Sequence, residues 1–335
     1  MEDSPVQPEA LTALCRAYGL KQNGLARRIS ERVWRVPTSA GEVAAKLYRA
    51  GQDDRAAREA ALLTHFNAHA DPRFRVQSLL RTTCGDAVWT SGDGSAAMLT
   101  RWNGGQSRTY DTFTPEEWAA LGASLAALHT CLDTLDRLPM QDTLLSRLQA
   151  LDADALRQEL ADAPALAPPG ADAARLRQYT ETCLRLLDAH HAGSLAAFPT
   201  DDPQRPIHND YNQFNYLFGD ALPPLVLDWE ASIGAPREYE LVRCLNHLPL
   251  EAAQLARTFV HAYLRVRPLH PERMAWAVDA ACLQHAGKRW MLRGWLADPP
   301  RFGTLLQGAL RMVSMMDGAR GQLIDFYGRC LDAPH

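Results

Sequence analysis

Between Pro206 and Phe218 the chain turns polar, His208-Asn209-Asp210-Tyr211-Asn212-Gln213-Phe214-Asn215, and a later apolar run, Leu225-Val226-Leu227, ends in Asp228-Trp229-Glu230. An H-x-D-x-x-x-x-N loop followed by a strand that ends in aspartate is the set phosphoryl transfer requires. One carboxylate must meet the acceptor hydroxyl while an amide and a second carboxylate hold a metal. Asp210 is expected to accept or orient the hydroxyl proton, and Asn215 to turn back toward the metal, with Asp228 as its stronger ligand. Hard oxygen donors of this kind suit magnesium. Glu230 would add charge near the metal or meet the substrate. His208 is expected to shape the loop by hydrogen bonding, since a base beside Asp210 is not required.

These residues need elements to hold them. Arg32-Val33-Trp34-Arg35-Val36 alternates up to Pro37, Thr38–Gly41 can turn, and Val43–Tyr48 resumes as a second strand, so a hairpin carries Lys46 on its return strand. Asp53–Ala68 reads as an amphipathic helix with Glu59 in its first half. Further strands are expected at Val76–Leu80, Ala87–Thr90 and Ala96–Leu99, making the first hundred residues strands around one helix, with a hinge at Thr100–Gly105. From Thr114-Pro115-Glu116-Glu117, a capping box, the texture becomes helical. Trp118, Leu121, Leu125 and Leu128 form a core stripe. Two helical patterns between Leu144 and Ala192 are broken at Pro164–Gly170, and helices run on beyond Tyr239, interrupted near Pro268, Pro271, Pro299 and Pro300.

The loop and strand-end aspartate resemble the phosphotransferase motif of the aminoglycoside phosphotransferase and choline kinase superfamily. That resemblance implies an α+β, bilobal, protein-kinase-like fold: an antiparallel sheet N-lobe with one main helix (1–103) binding nucleotide, and a mostly helical C-lobe (104–335) carrying the catalytic loop and the acceptor pocket. It implies ATP or another nucleoside triphosphate with Mg2+. Lys46 matches the strand lysine that touches phosphates in such kinases, and Glu59 the helix glutamate that pairs with it. Leu99, Arg101 and Asn103 fall in the linker whose backbone receives adenine. Family members usually have glycine after the motif histidine, where this chain has Asn209. The turn over the nucleotide, Asn23–Glu31, is poor in glycine and offers Ser30 and Arg28 as phosphate contacts.

Composition narrows the partners. The formal net charge of −4 gives no cationic footprint for nucleic acid. The polar, acidic opening Met1–Pro5 and the lack of a long uncharged apolar run give no signal peptide or membrane span, so a cytoplasmic location is expected. Seven scattered cysteines without paired spacing predict reduced thiols, and His129, His247 and His285 form no ligand pattern, so no metal besides magnesium is implied. No Ala-Pro-Glu signature follows Asp228, which favours a small-molecule hydroxyl acceptor over a protein. The acceptor stays open among aminoglycoside, choline, homoserine and sugar. Tyr211 and Trp229 are candidates to line its site, as are Lys288, Arg289, Trp290, Arg293 and Trp295, and the oligomeric state is not readable. The competing reading is an inactive, nucleotide-binding pseudokinase or scaffold, and the full set Lys46, Asp210, Asn215 and Asp228 weighs against it.

Overall fold

In the computed structural model, which describes residues 8–135, 142–220 and 222–332, the alternating segment does fold as a hairpin. The acidic opening Met1–Pro5 lies outside those residues. The chain divides into two compact units, Met1–Gln141 with His208–Ile233, and Asp142–Ile207 with Gly234–His335.

The first unit contains, in order, α1 (Pro8–Ala17), β1 (Arg27–Arg28), β2 (Val33–Thr38), β3 (Gly41–Leu47), α2 (Asp53–Ala68), β4 (Arg75–Val76), β5 (Trp89–Thr90), β6 (Ala96–Arg101) and α3 (Pro115–Leu132). After the loop at His208 come β7 (Tyr216–Leu217) and β8 (Leu225–Val226). An antiparallel sheet runs in the order β1-β2-β3-β6-β5. Thr38 pairs with Gly41 across the two-residue turn Ser39-Ala40, and Gly41, where the chain leaves that turn, holds a left-handed φ of +96° that glycine adopts without strain. β3 and β6 are registered so that Ala45 faces Leu99 and Lys46 faces Met98. Successive side chains point to opposite faces. Val43, Ala45, Ala97 and Leu99 therefore enter one face and pack against Leu11, Leu14, Cys15 and Tyr18. Lys46 turns to the other, toward α2.

Two expectations need correction. The first hundred residues hold two helices, because α1 covers one face of the sheet; Leu11, Leu14, Cys15 and Tyr18 recur at helical spacing, a signal the strand reading passed over. Val76–Leu80 is not one strand. β4 pairs in parallel with β8, and the chain then changes partner, with Ser78–Leu80 running along β6 through Leu80 N–H to the Leu99 carbonyl (2.9 Å) and Arg101 N–H to the Ser78 carbonyl (2.9 Å).

α3 starts as expected. Thr114 accepts from the Glu117 amide and Glu117 reaches back to the Thr114 N–H at 2.8 Å, while Trp118, Leu121, Leu125 and Leu128 are buried. The linker after β6 is fastened to β7, since Gln106 and Phe218 exchange backbone hydrogen bonds of 2.8 and 3.0 Å.

The second unit is helical: α4 (Leu144–Gln149), α5 (Ala153–Asp162), α6 (Ala173–Ala196), α7 (Arg237–Leu245), α8 (Leu248–Glu251), α9 (Ala253–Leu264), α10 (Met274–Ala286), α11 (Arg289–Ala297), α12 (Pro299–Met316) and α13 (Arg320–Asp332). Helix α6 packs on α10 and α12. A polar cluster pins three of the helices: buried Asp279 of α10 binds the His190 ring of α6 at 2.9 Å and the half-exposed Arg320 guanidinium of α13 at 2.6 and 2.8 Å.

Gly105 sits where the linker meets β7, at φ +150°, and an added Cβ would lie 3.1 Å from both the Leu217 Cβ and the Phe218 carbonyl oxygen. Gly105→Ala is expected to destabilise the protein by about 1–3 kcal/mol, read by urea denaturation, because strain and crowding coincide there. Gly104→Ala, where an added Cβ meets open space, should cost much less.

Candidate active site

The Lys46 ammonium is the meeting point of three carboxylates. It lies 2.6 Å from Glu59 Oε2, 2.6 Å from Asp228 Oδ1 and 3.2 Å from Glu230 Oε2, with its side chain 10% exposed. Burial disfavours its charge, but the surrounding anions outweigh that and hold its pKa above the ordinary value. Glu59 is fully buried on α2 and satisfies both oxygens: Oε2 also accepts from Tyr48 Oη (2.7 Å), and Oε1 accepts from the Trp229 backbone N–H (3.3 Å). Trp229 packs between Phe66 of α2 and the His208 ring, with ring centroids 4.5 Å apart on both sides. The segment after β8 is thereby locked to α2.

Glu230 has a second cation. Arg32 grips it with two hydrogen bonds of 2.7 and 2.9 Å. Burial alone would raise the Glu230 pKa, but Arg32 and then Lys46 bring it down to about 2. Arg32 was not singled out from sequence; its signal is its place at the mouth of the hairpin, where its carbonyl accepts from Leu47 N–H beside Lys46.

The polar loop is shaped by its histidine, as expected. His208 Nε2 contacts the Leu227 carbonyl at 2.8 Å and Nδ1 accepts from Asp210 N–H at 3.2 Å, so both ring nitrogens are used to shape the loop. Asn209 adopts φ +62° and donates its amide to the Ala231 carbonyl at 2.9 Å. The left-handed region admits glycine or asparagine far more readily than other residues, which suits an asparagine to this position. Asp210 is held by two amides: Asn212 Nδ2 on Oδ1 (2.8 Å) and Asn215 Nδ2 on Oδ2 (2.9 Å).

The two groups of residues join through Leu227, whose N–H donates to the Asn215 carbonyl (2.9 Å) and whose carbonyl meets His208. The next residue, Asp228, takes φ +61°, a strained conformation for an aspartate. Its side chain stays 40% exposed. Half-exposed Asp228 and the Asn215 amide oxygen, which accepts no hydrogen bond among the described residues, are hard donors of the kind magnesium takes, whereas the neighbouring Glu59 and Glu230 oxygens are occupied by Lys46, Tyr48, the Trp229 N–H and Arg32.

Other predicted residues fall elsewhere. Leu99 is buried on the sheet face opposite Lys46 and its carbonyl is taken by Leu80; Arg101 N–H is taken by Ser78. Asn103 lies in the linker, its side chain donating to the Arg101 carbonyl at 3.0 Å. Ser30 is exposed in a turn held by Arg28, which donates to the Ser30 and Glu31 carbonyls at 3.1 Å each. Tyr211 and Trp229 are core residues, 2% and 1% exposed, so neither opens onto a ligand. In the second unit, Arg289 and Arg293 of α11 both bind Glu159 of α5, and Trp295 is buried, leaving Trp290 as the exposed aromatic of that helix.

The sequence pattern of the phosphotransferase enzyme family matches residues 21–277. Similar solved structures include an aminoglycoside phosphotransferase from Alicyclobacillus acidocaldarius, 17% identical, with a TM-score of 0.67 over 98% of this chain and 97% of that one. A spectinomycin phosphotransferase in complex with ADP and spectinomycin is 13% identical, with a TM-score of 0.69 over 93% of this chain and 99% of that one. An amicoumacin kinase in complex with AMP-PNP and Ca2+ is 13% identical, with a TM-score of 0.67 over 95% of this chain and 97% of that one. These likenesses establish the α+β, protein-kinase-like fold expected from the sequence. No curated protein sequence gives a match.

The Glu230 carboxylate makes a pH-dependent contribution whose sign is fixed. Its folded pKa of about 2 lies below the ordinary 4.5, so the stabilisation is complete above the ordinary value and is lost as pH falls toward 2. Urea denaturation of wild type and Glu230→Gln should show a stability difference that is constant near neutral pH and shrinks on acidification below about pH 4.5. A difference independent of pH would show that the charge of Glu230 is not what Arg32 and Lys46 hold.

Proposed function

The chain belongs to the phosphotransferase enzyme family, and we propose that it moves the γ-phosphate of ATP, or another nucleoside triphosphate, onto a hydroxyl of a small molecule. The observation that carries this reading is the coupling of two groups: Lys46 bound to Glu59 and Asp228, and Asp210 held by Asn212 and Asn215, joined by the backbone of Leu227.

In this reading Asp210 meets the acceptor. The amides of Asn212 and Asn215 fix both carboxylate oxygens, so the group is oriented before a substrate arrives. The hydroxyl oxygen attacks the γ-phosphorus in line, its proton passes to Asp210, and the bond to the nucleoside diphosphate breaks. Lys46 stays charged and offers its ammonium to phosphate oxygens, with Glu59 behind it as an anchor. Asp228 and Asn215 would hold magnesium, which supplies neutralisation of the triphosphate charge when bound. Within the linker we assign the base edge to the backbone of the segment Leu99–Asn103, with Ser30 and Arg28 in the turn over the phosphates.

We assign residues 1–103 to nucleotide binding and 104–335 to the catalytic loop and acceptor, with a cytoplasmic site of action. Among the described residues no helix is long and apolar enough to cross a membrane. A small acceptor is supported by the fold relatives, among them the spectinomycin phosphotransferase, the amicoumacin kinase and a microcompartment-associated aminopropanol kinase.

The test is ADP release with magnesium and ATP across aminoglycosides, amino alcohols, homoserine and sugars, together with two variants. Asp210→Ala should lower turnover with the stimulating acceptor by at least about 100-fold while leaving nucleotide affinity within a small factor. Asp228→Ala should weaken magnesium-nucleotide binding at least about tenfold as well. Undiminished turnover in Asp210→Ala would overturn the assignment.

A further inference from the structure

Away from the site just described, the C-terminal ends of α2 and α3 bring together residues distant in sequence. His65 lies in the last turn of α2, His69 is its C-cap, and Cys131 lies in the last turn of α3. One ring nitrogen from each histidine and the Cys131 sulfur lie within 4.8 Å of one another. The two imidazoles face each other with centroids 4.3 Å apart, and the thiol points at the His69 carbonyl from 3.9 Å.

We propose that His65, His69 and Cys131 form a binding site for Zn2+ or a similar borderline-soft divalent cation, with water completing the shell. The ligand chemistry fits: imidazole nitrogen and thiolate sulfur are zinc donors, and histidines four apart on a helix are a recurrent zinc arrangement. Tetrahedral coordination sets donor atoms roughly 3.3–3.6 Å apart, so closing from the observed spacing takes only a rotation of side chains that are partly or fully exposed.

The surroundings favour a cation independently of the ligands. Two helix C-termini converge there, each presenting the negative end of its dipole. Asp71, just beyond α2, adds a carboxylate whose charge, after burial, helps push the Cys131 thiol up to about 11. A metal would reverse that shift by binding the thiolate. Supporting hydrogen bonds are also in place. His69 Nδ1 contacts the His65 carbonyl at 2.9 Å, the kind of bond that leaves the other ring nitrogen its lone pair for a metal. His65 is held against α3 through Nε2, which lies 3.0 Å from the Cys131 carbonyl and 3.1 Å from Thr134 Oγ1. An ion here would tie the end of α2, the helix that carries Glu59, to α3.

The competing reading is that the histidines merely complement the helix ends, and zinc titration of the full-length protein against a competing chelator separates the two. The expected result is one zinc per chain at micromolar or lower free metal, weakened at least about tenfold by Cys131→Ser and by His69→Ala and unchanged by Cys84→Ser, the exposed-thiol control. Cobalt in place of zinc should give a thiolate charge-transfer band that Cys131→Ser abolishes, and zinc should raise the unfolding midpoint of wild type but not of His69→Ala. His69 is exposed, so that variant tests the site even if Cys131→Ser folds poorly. No uptake by wild type, or wild-type affinity in the His69→Ala protein, would overturn the proposal.

Discussion

Burying an ammonium costs several kcal/mol unless anions surround it, and much of the first unit's arrangement follows from meeting that condition at Lys46. The three carboxylates around it come from two distant stretches of chain: Glu59 from α2, Asp228 and Glu230 from the turn after β8. Once the lysine is fixed by its register in β3, α2 must present Glu59 at that level, and the turn after β8 must come within reach of both. Arg32 offsets the remaining negative charge at Glu230. The result is a network in which each member is satisfied, the condition under which buried charges rigidify a site.

The same segment concentrates backbone strain. Asn209 and Asp228 both hold positive φ, each one residue beyond an end of the hydrogen bond that His208 makes to Leu227. Such conformations persist where surrounding contacts over-determine them. Here those contacts are identifiable: the Asn209 amide on Ala231, the Trp229 ring between Phe66 and His208, and the Trp229 N–H on Glu59.

Local chemistry was legible in the sequence, whereas long-range placement was not. The loop of Asp210 and Asn215, the strand ending at Asp228, and the hairpin and helix that carry Lys46 and Glu59 could be read because loop spacing and strand or helix periodicity are local properties, whereas Lys46 and Glu59 themselves were singled out through the family resemblance. The capping box at Thr114 was readable for the same reason. Leu99 illustrates the limit: its strand was recognised, but which face it enters depends on register against β3 and on α1 covering that face. Arg32 and the His65, His69 and Cys131 group depend on tertiary approach, and no spacing rule links position 131 to a helix near position 65. In α11 a row of basic and aromatic residues suggested a binding surface, yet Arg289 and Arg293 are spent on Glu159 and Trp295 on packing.

If the Lys46 ammonium is the constraint that organises the site, its coupling to Glu59 must be large, and a double-mutant cycle of Lys46→Met, Glu59→Gln and the combined variant measures that coupling in stability. Each single change leaves a buried charge short of its nearest opposite charge, whereas the double change removes both charges. The account predicts a coupling free energy of about 2–3 kcal/mol, with the double variant less destabilised than the sum of the singles. Strictly additive effects would contradict it, and would mean that the pair meets in the structure without holding it together.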